Sequence, residues 1–412
     1  MSKTIVIIGG GAAGFFTAIN IDAPSGTRIF ILEKSNKLLS KVKISGGGRC
    51  NVTHACFESK ELVKFYPRGS KELNGPFHQF STGDTFEWFA NRGVELKIEE
   101  DNRTFPITDS SQTIIDCFLN EAEKKNIKVE TQNGLESLDF DEIQQKWLVH
   151  TTSGGVIASD VVVVAAGSSP QMWQKLHDFG LNMIEQVPSL FTFNIKDKRL
   201  ESLAGLSSTH AYVTIPSLKL EALGPVLVTH WGLSGPGILK LSAIAARDLF
   251  QCDYKFEIVV NWLANEDLES LSDFFKDLRT EQPRKLVHSF SPVDLPMRLW
   301  LSLIREYADS QLKWADVSNK TIESMAKAIV QCKFIVDGKS TFKDEFVTAG
   351  GVDLKEIDFK TMEAKRFKGL YFAGEVLDID AVTGGFNFQA AWTTSIIAAR
   401  SISSSLSSEK SF

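Results

Sequence analysis

The apolar positions of this chain fall into two textures. Four stretches are apolar with hardly a polar interruption: Thr4-Ile5-Val6-Ile7-Ile8, Arg28-Ile29-Phe30-Ile31-Leu32, Asp160 to Gly167 and Lys368 to Glu375. Such β-branched runs predict strands of a parallel sheet with both faces covered. Ala13 to Asn20 reads as a helix between the first two, so residues 4–32 form a βαβ unit. From about Pro188 to Thr341 the texture changes. Polar residues mix into the strands, and Glu266 to Leu278 and Ser318 to Val330 carry apolar residues at helical spacing. The pattern predicts an α/β protein whose dinucleotide-binding domain is discontinuous, residues 1–188 and 342–412. The insert, residues 189–341, has a helical part around 262–332. The Ser-rich residues from Ser401 on predict a frayed end.

Gly9-Gly10-Gly11-Ala12-Ala13-Gly14 satisfies G-x-G-x-x-G between the first strand and the helix, and Glu33 follows 19 positions after Gly14. Each part has a physical task. Gly9 permits the tight turn, Gly11 lets a pyrophosphate approach the backbone, and Gly14 lets helix and strand pack closely. The helix N-terminus, from Ala12 and Ala13, offers free N–H groups and partial positive charge to phosphate. Glu33 suits ribose hydroxyls and repels a 2′-phosphate; Lys34 beside it is assigned to the same site.

Which dinucleotide binds is decided elsewhere. Val163-Val164-Ala165-Ala166-Gly167 resembles the second glycine-terminated strand of two-dinucleotide-fold flavoproteins. Leu370-Tyr371-Phe372-Ala373-Gly374-Glu375 resembles their C-terminal strand, whose Gly and acid reach the ribityl chain. FAD needs an acid returning from the far end of the chain, because its flavin extends well past the first turn. Lys41 to Thr53 is the most unusual stretch. Gly46, Gly47 and Gly48 between Ser45 and Arg49 free backbone amides for a flat ligand, with Lys41 and Arg49 supplying charge. Val382-Thr383-Gly384-Gly385-Phe386-Asn387-Phe388-Gln389 leads into a helix from Ala390, whose N-terminus suits the pyrimidine edge of a flavin. Phe386 and Phe388 are candidates to wall the isoalloxazine.

These residues together resemble the HI0933-like flavoprotein family, also described as BaiN-type or aminoacetone oxidase family FAD-binding enzymes. Its Lys-x-x-x-Ser-Gly-Gly-Gly-Arg-Cys-Asn loop is matched by Lys41 and by Ser45, Gly46, Gly47, Gly48, Arg49, Cys50 and Asn51. Its Gly-Leu-Tyr-Phe-Ala-Gly-Glu block, with a following Asp and Thr-Gly-Gly-Tyr-Asn-x-Gln, is matched by Gly369 to Glu375, Asp380 and Thr383 to Gln389, Phe386 replacing Tyr. Thr229-His230-Trp231-Gly232-Leu233-Ser234-Gly235-Pro236 matches a third motif within the insert. Two departures stand out: Leu39-Ser40-Lys41 replaces the usual Gly-Arg-Lys, and His54 replaces the usual Asn. The resemblance implies an FAD domain interrupted by a β-barrel plus a small helical bundle.

Composition narrows the chemistry. Hydrophobic residues at 43% and charged residues at 23% are those of a globular protein, and 45 Lys and Arg against 51 Asp and Glu leave a net charge of -6. That balance argues against nucleic acid or an anionic membrane as partner. The five cysteines are scattered without a CxxC pair, so neither a disulfide framework nor a metal site is expected, and cytoplasm is the expected compartment. Cys50 is a candidate for a thiol beside the flavin, weighed against a packing role. His230 is the candidate proton donor; His54 and His78 have no supporting pattern. The expected activity is a reductase passing hydride from NAD(P)H through FAD to an activated C=C of a small organic substrate. Rivals are an O2-dependent oxidase of small amines and, from another class, a flavin-dependent RNA-modifying protein or redox sensor.

Overall fold

The computed structural model describes residues 2–340 and 347–408. The chain divides into two units, Met1–Val187 with Lys343–Phe412, and Pro188–Phe342. The junction expected at 341/342 lies outside the described residues.

The first unit is built on a sheet of strands β1 (Thr4–Ile8), β2 (Arg28–Leu32), β3 (Lys128–Glu130), β4 (Val161–Val164) and β5 (Leu370–Phe372). They lie in the order β5-β4-β1-β2-β3, every neighbouring pair parallel. All positions of β1 and β4 are buried, as continuous β-branched runs in a doubly covered sheet require. A short antiparallel pair, Ile357–Asp358 and Glu363–Ala364, extends the β5 edge.

Helix α1 (Ala12–Asn20) and helix α2 (Phe386–Ser408) pack side by side, the Ser395 hydroxyl donating to the Ala13 carbonyl at 3.0 Å. Phe16 of α1 meets Trp392 of α2 with ring centroids 5.0 Å apart. The C-terminal helix departs from expectation at both ends. It starts at Phe386 rather than Ala390, because Gly385 at φ +94 turns the chain and the Gln389 N–H bonds back to the Gly385 carbonyl. It continues through Ser408 instead of fraying at Ser401. Ile402 and Leu406 are buried, and the hydroxyls of Ser403, Ser404, Ser407 and Ser408 bond to carbonyls four residues back.

The second unit has a different grammar. Seven strands pair antiparallel in the order Cys332–Asp337, Lys255–Asn261, Ser207–Ile215, Leu220–Val228, Gly232–Ser234, Thr192–Asn194, Lys339–Ser340. Cys332–Asp337 alternates buried and exposed residues, the mark of a sheet covered on one face. The strands at the two ends of this order follow one another in the chain, separated by Gly338 at φ +106. Helices Leu268–Glu281, Met297–Ile304 and Asn319–Val330 supply the helical part, where Phe275 packs against Trp300 and Trp314. Among the described residues no helix is long and apolar enough to cross a membrane.

Candidate functional site

The glycine turn between β1 and α1 sets the floor of the site. A Cβ on Gly9 would lie 2.4 Å from the Ala165 carbonyl oxygen and 2.9 Å from the Ala166 Cα. A Cβ on Gly14 would lie 1.9 Å from the Gly9 oxygen, and one on Gly374 would meet the Ala13 Cβ at 2.7 Å. These contacts bring Gly9, Ala13, Gly14, Ala166 and Gly374 together, and a Cβ on Gly167 would lie 3.6 Å from Glu375 Oε2, so the tips of β1, β4 and β5 converge on the N-terminus of α1. Gly11 is different. Among the described residues a Cβ there meets nothing within 4 Å, and no side chain caps the helix it opens. The backbone N–H groups of Ala12 and Ala13 are therefore free to take an anion.

Around this cradle the polar side chains take defined places. Glu33 accepts from the N–H groups of Gly10 at 2.9 Å and Ser35 at 2.8 Å, one on each oxygen. A carboxylate has about four lone-pair sites, so hydroxyl donors can still be accepted. Lys34 donates to Ser169 at 2.9 Å, and Lys41 donates to Ser168 at 3.2 Å and to Glu375 Oε2. The other oxygen, Glu375 Oε1, is buried and has no hydrogen-bond partner among the described residues. A buried acceptor without a donor costs free energy, about 1–3 kcal/mol. An open anion cradle at Gly11 and an unpaired acceptor at Glu375, together with the pair Lys41 and Glu375, fit a dinucleotide whose hydroxylated chain reaches the carboxylate.

The second glycine loop is held from outside. Ser40 begins a helical stretch that breaks at Ser45, and Gly46, Gly47 and Gly48 all take positive φ, at +58°, +68° and +86°. The Arg49 guanidinium lies 3.9 Å over the Phe105 ring and pairs with Glu99 and Asp109. Its charge is thus spent on Glu99 and Asp109. Cys50 is fully buried, and burial pushes its thiol up to about 12 against a hydrogen bond to Ser45 that lowers it. That placement fits the packing role and leaves no thiolate near neutral pH.

The C-terminal block is locked from within. Asp380 is fully buried and pairs through both oxygens with Arg68. Asn387 holds the Ala381 N–H at 3.0 Å and the Ala381 carbonyl at 3.2 Å. The buried Gln389 accepts from Thr53 at 2.6 Å and Thr85 at 2.9 Å and donates to Thr393 at 3.2 Å. Phe386 is 1% exposed and stacks on Phe65, centroids 4.2 Å apart, while Phe388 stacks on Trp392 at 5.4 Å. The Phe386 ring thus packs at the turn, a Cβ on Gly384 lying 3.0 Å from its edge. His230 lies in the other unit, exposed in the tight turn between Leu220–Val228 and Gly232–Ser234, where Thr229 accepts the Trp231 and Gly232 N–H groups.

Sequence reasoning missed Arg68, Thr85 and His54, whose partners lie about three hundred positions away and leave no local spacing to read. All five cysteines are free, and among the described residues no group of three or more potential metal ligands occurs.

Comparison with known proteins gives four matches. A family model, the HI0933-like protein Rossmann domain, matches residues 3–401. The chain is 29% identical to a ribosomal RNA dihydrouridine synthase of Escherichia coli (strain K12), over 98% of each chain. It is 26% identical to a 3-dehydro-bile acid delta(4,6)-reductase of Clostridium scindens, over 96% of this chain and 98% of the other. Among solved structures, a 3-ketosteroid-delta4-(5alpha)-dehydrogenase from Rhodococcus jostii RHA1 shares the fold at 13% identity, with a TM-score of 0.51 over 97% of both chains.

Proposed function

The chain belongs to the HI0933-like family, and from that premise we propose that it is an FAD-dependent reductase that hydrogenates a carbonyl-conjugated C=C, with uracil in RNA as its substrate. The observation that carries the reaction is a convergence among its relatives. A dihydrouridine synthase and a delta(4,6)-reductase acting on a 3-dehydro bile acid both add hydrogen across a C=C conjugated to a carbonyl. FAD, when bound, supplies hydride transfer between NAD(P)H and that bond.

The residues of the chain bind and orient. The open cradle at Gly11 and the start of α1 suit the pyrophosphate, and Glu33 suits the adenosine ribose. Glu375 Oε1 suits a ribityl hydroxyl, with Lys41 fixing the opposite oxygen. The N-terminus of α2 supports negative charge at the pyrimidine edge. The insert sheet is read as a barrel closed by the strand through Gly338.

The choice of RNA departs from the expectation of a small substrate without nucleic acid, which rested on chain-wide charge. Charge is unevenly spread. Residues 34–71 hold nine Lys and Arg against two Glu, although the chain as a whole is at -6. Lys37, Lys43, Lys60 and Lys71 of this segment are exposed, as contacts to a phosphate backbone require.

The test is direct: incubate the purified protein with NADH or NADPH and an unmodified ribosomal RNA transcript, then count dihydrouridine by mass spectrometry. Dihydrouridine at a defined position is expected. Untouched RNA alongside reduction of a small enone would move the substrate to the small-molecule class. Peroxide formation from amines with neither reduction would overturn the reading.

A further inference from the structure

Four consecutive residues after the second glycine loop each hold a residue of the C-terminal block. With its amide oriented to satisfy its partners, Asn51 accepts the Gly385 N–H at 3.0 Å and donates to the Thr53 carbonyl at 3.0 Å. The Val52 carbonyl accepts from Trp392 at 2.9 Å, and the Thr53 hydroxyl donates to Gln389 at 2.6 Å. His54 Nδ1 lies 3.1 Å from the Gly384 carbonyl oxygen, an atom that only accepts, so Nδ1 carries the proton. The segment is itself anchored, because Thr53–His54 pairs with Arg103–Thr104 and the Val52 N–H reaches the Thr104 carbonyl at 2.9 Å.

The peptide between Gly384 and Gly385 is thus gripped on both sides, its carbonyl by His54 and its N–H by Asn51. It needs the grip. Both glycines take positive φ, at +131° and +94°, and glycine is the residue with the most conformational freedom to lose. The peptide immediately precedes the first turn of α2, whose leading N–H groups have no acceptor inside the helix. Its orientation decides where those donors point. The His54 ring also lies 4.4 Å from the Phe386 ring, at 30°.

We propose that His54 is a positioning residue for the flavin: by holding the Gly384 carbonyl it fixes the turn that aims the N-terminal donors of α2. The proposal rests on FAD binding as read above. Two variants separate the donor from the ring. His54→Phe keeps an aromatic ring against Phe386 and removes the donor, whereas His54→Asn removes the ring and keeps a donor.

Two readouts apply. Fluorescence titration of the apoprotein with FAD is expected to show affinity reduced roughly five- to tenfold in His54→Phe, the worth of one hydrogen bond, and close to wild type in His54→Asn. Hydrogen exchange of the apoprotein at residues 384–388 is expected to accelerate in His54→Phe alone. That second readout stands without flavin, so wild-type protein that fails to bind FAD would sink the functional reading and still test the clamp. Unchanged exchange and affinity in His54→Phe, or equal losses in both variants, would overturn the proposal.

Discussion

Two glycine segments of the first unit meet different leading constraints. In the turn at Gly9 to Gly14 the limit is crowding: a Cβ on Gly9 or Gly14 would run into the chain's own backbone at 2.4 Å and 1.9 Å. In the loop at Gly46 to Gly48 backbone hand comes first, since all three residues are left-handed and Gly47 has open space around it among the described residues, although a Cβ on Gly46 would also meet the Phe105 ring at 2.7 Å. Gly11 is a third case, crowded by nothing among the described residues and open for a ligand. A glycine string therefore does not say which constraint it meets. Only the neighbours do.

That difference can be broken at one residue at a time. Gly14→Ala is the harshest change, because its Cβ has only backbone to displace. A loss of about 3 kcal/mol or more is expected in denaturant unfolding, with flavin binding lost too. Gly11→Ala separates ligand from fold. Its φ of -95° suits alanine, so stability is expected to stay within about 0.5 kcal/mol, while FAD affinity falls about tenfold or more as the methyl group enters the ligand's space. An equal loss of stability in both variants would erase the distinction. Gly47→Ala tests hand alone: a cost of about 1–2 kcal/mol is expected from the left-handed conformation, without a clash.

The smallest effect is expected at Cys50. Its thiol is raised by burial, so its contribution to stability is fully present below pH 9, the ordinary thiol value, and is lost as pH rises towards about 12. Native protein alkylated at pH 8 is expected to react at the exposed Cys252 and to spare Cys50 until unfolded, as peptide mapping would show. Prompt labelling of native Cys50 would return it to the list of reactive groups.

Legibility in the sequence follows the same physics. β1 and β2 match to the residue the apolar runs that predicted them: β1 is buried throughout, and β2 keeps its apolar run although Arg28 is exposed and Phe30 half-buried. The helix at Leu268–Glu281 was displaced by only two or three residues from the apolar spacing that predicted it. The C-terminal helix was misread at its start because Gly385 turns the chain before Phe386, and at its end because serines that cap or fray in isolation are satisfied here by carbonyls one turn back. In the site, residues acting through their backbone, such as Gly9 and Gly14, announced themselves. Side chains acting through distant partners did not. Arg49, read as a charge for the ligand, is turned to Glu99 and Phe105, and the grip of His54 on Gly384 spans 330 positions.

The proposed cofactor would be held by two glycine segments and a carboxylate that returns from the far end of the chain. Denaturing the purified protein, after saturation with a mixture of FAD, FMN and NADH and removal of excess, and identifying what is released tests it most directly. One FAD per chain is the predicted result. Release of FMN or NADH alone, or of nothing, would contradict it.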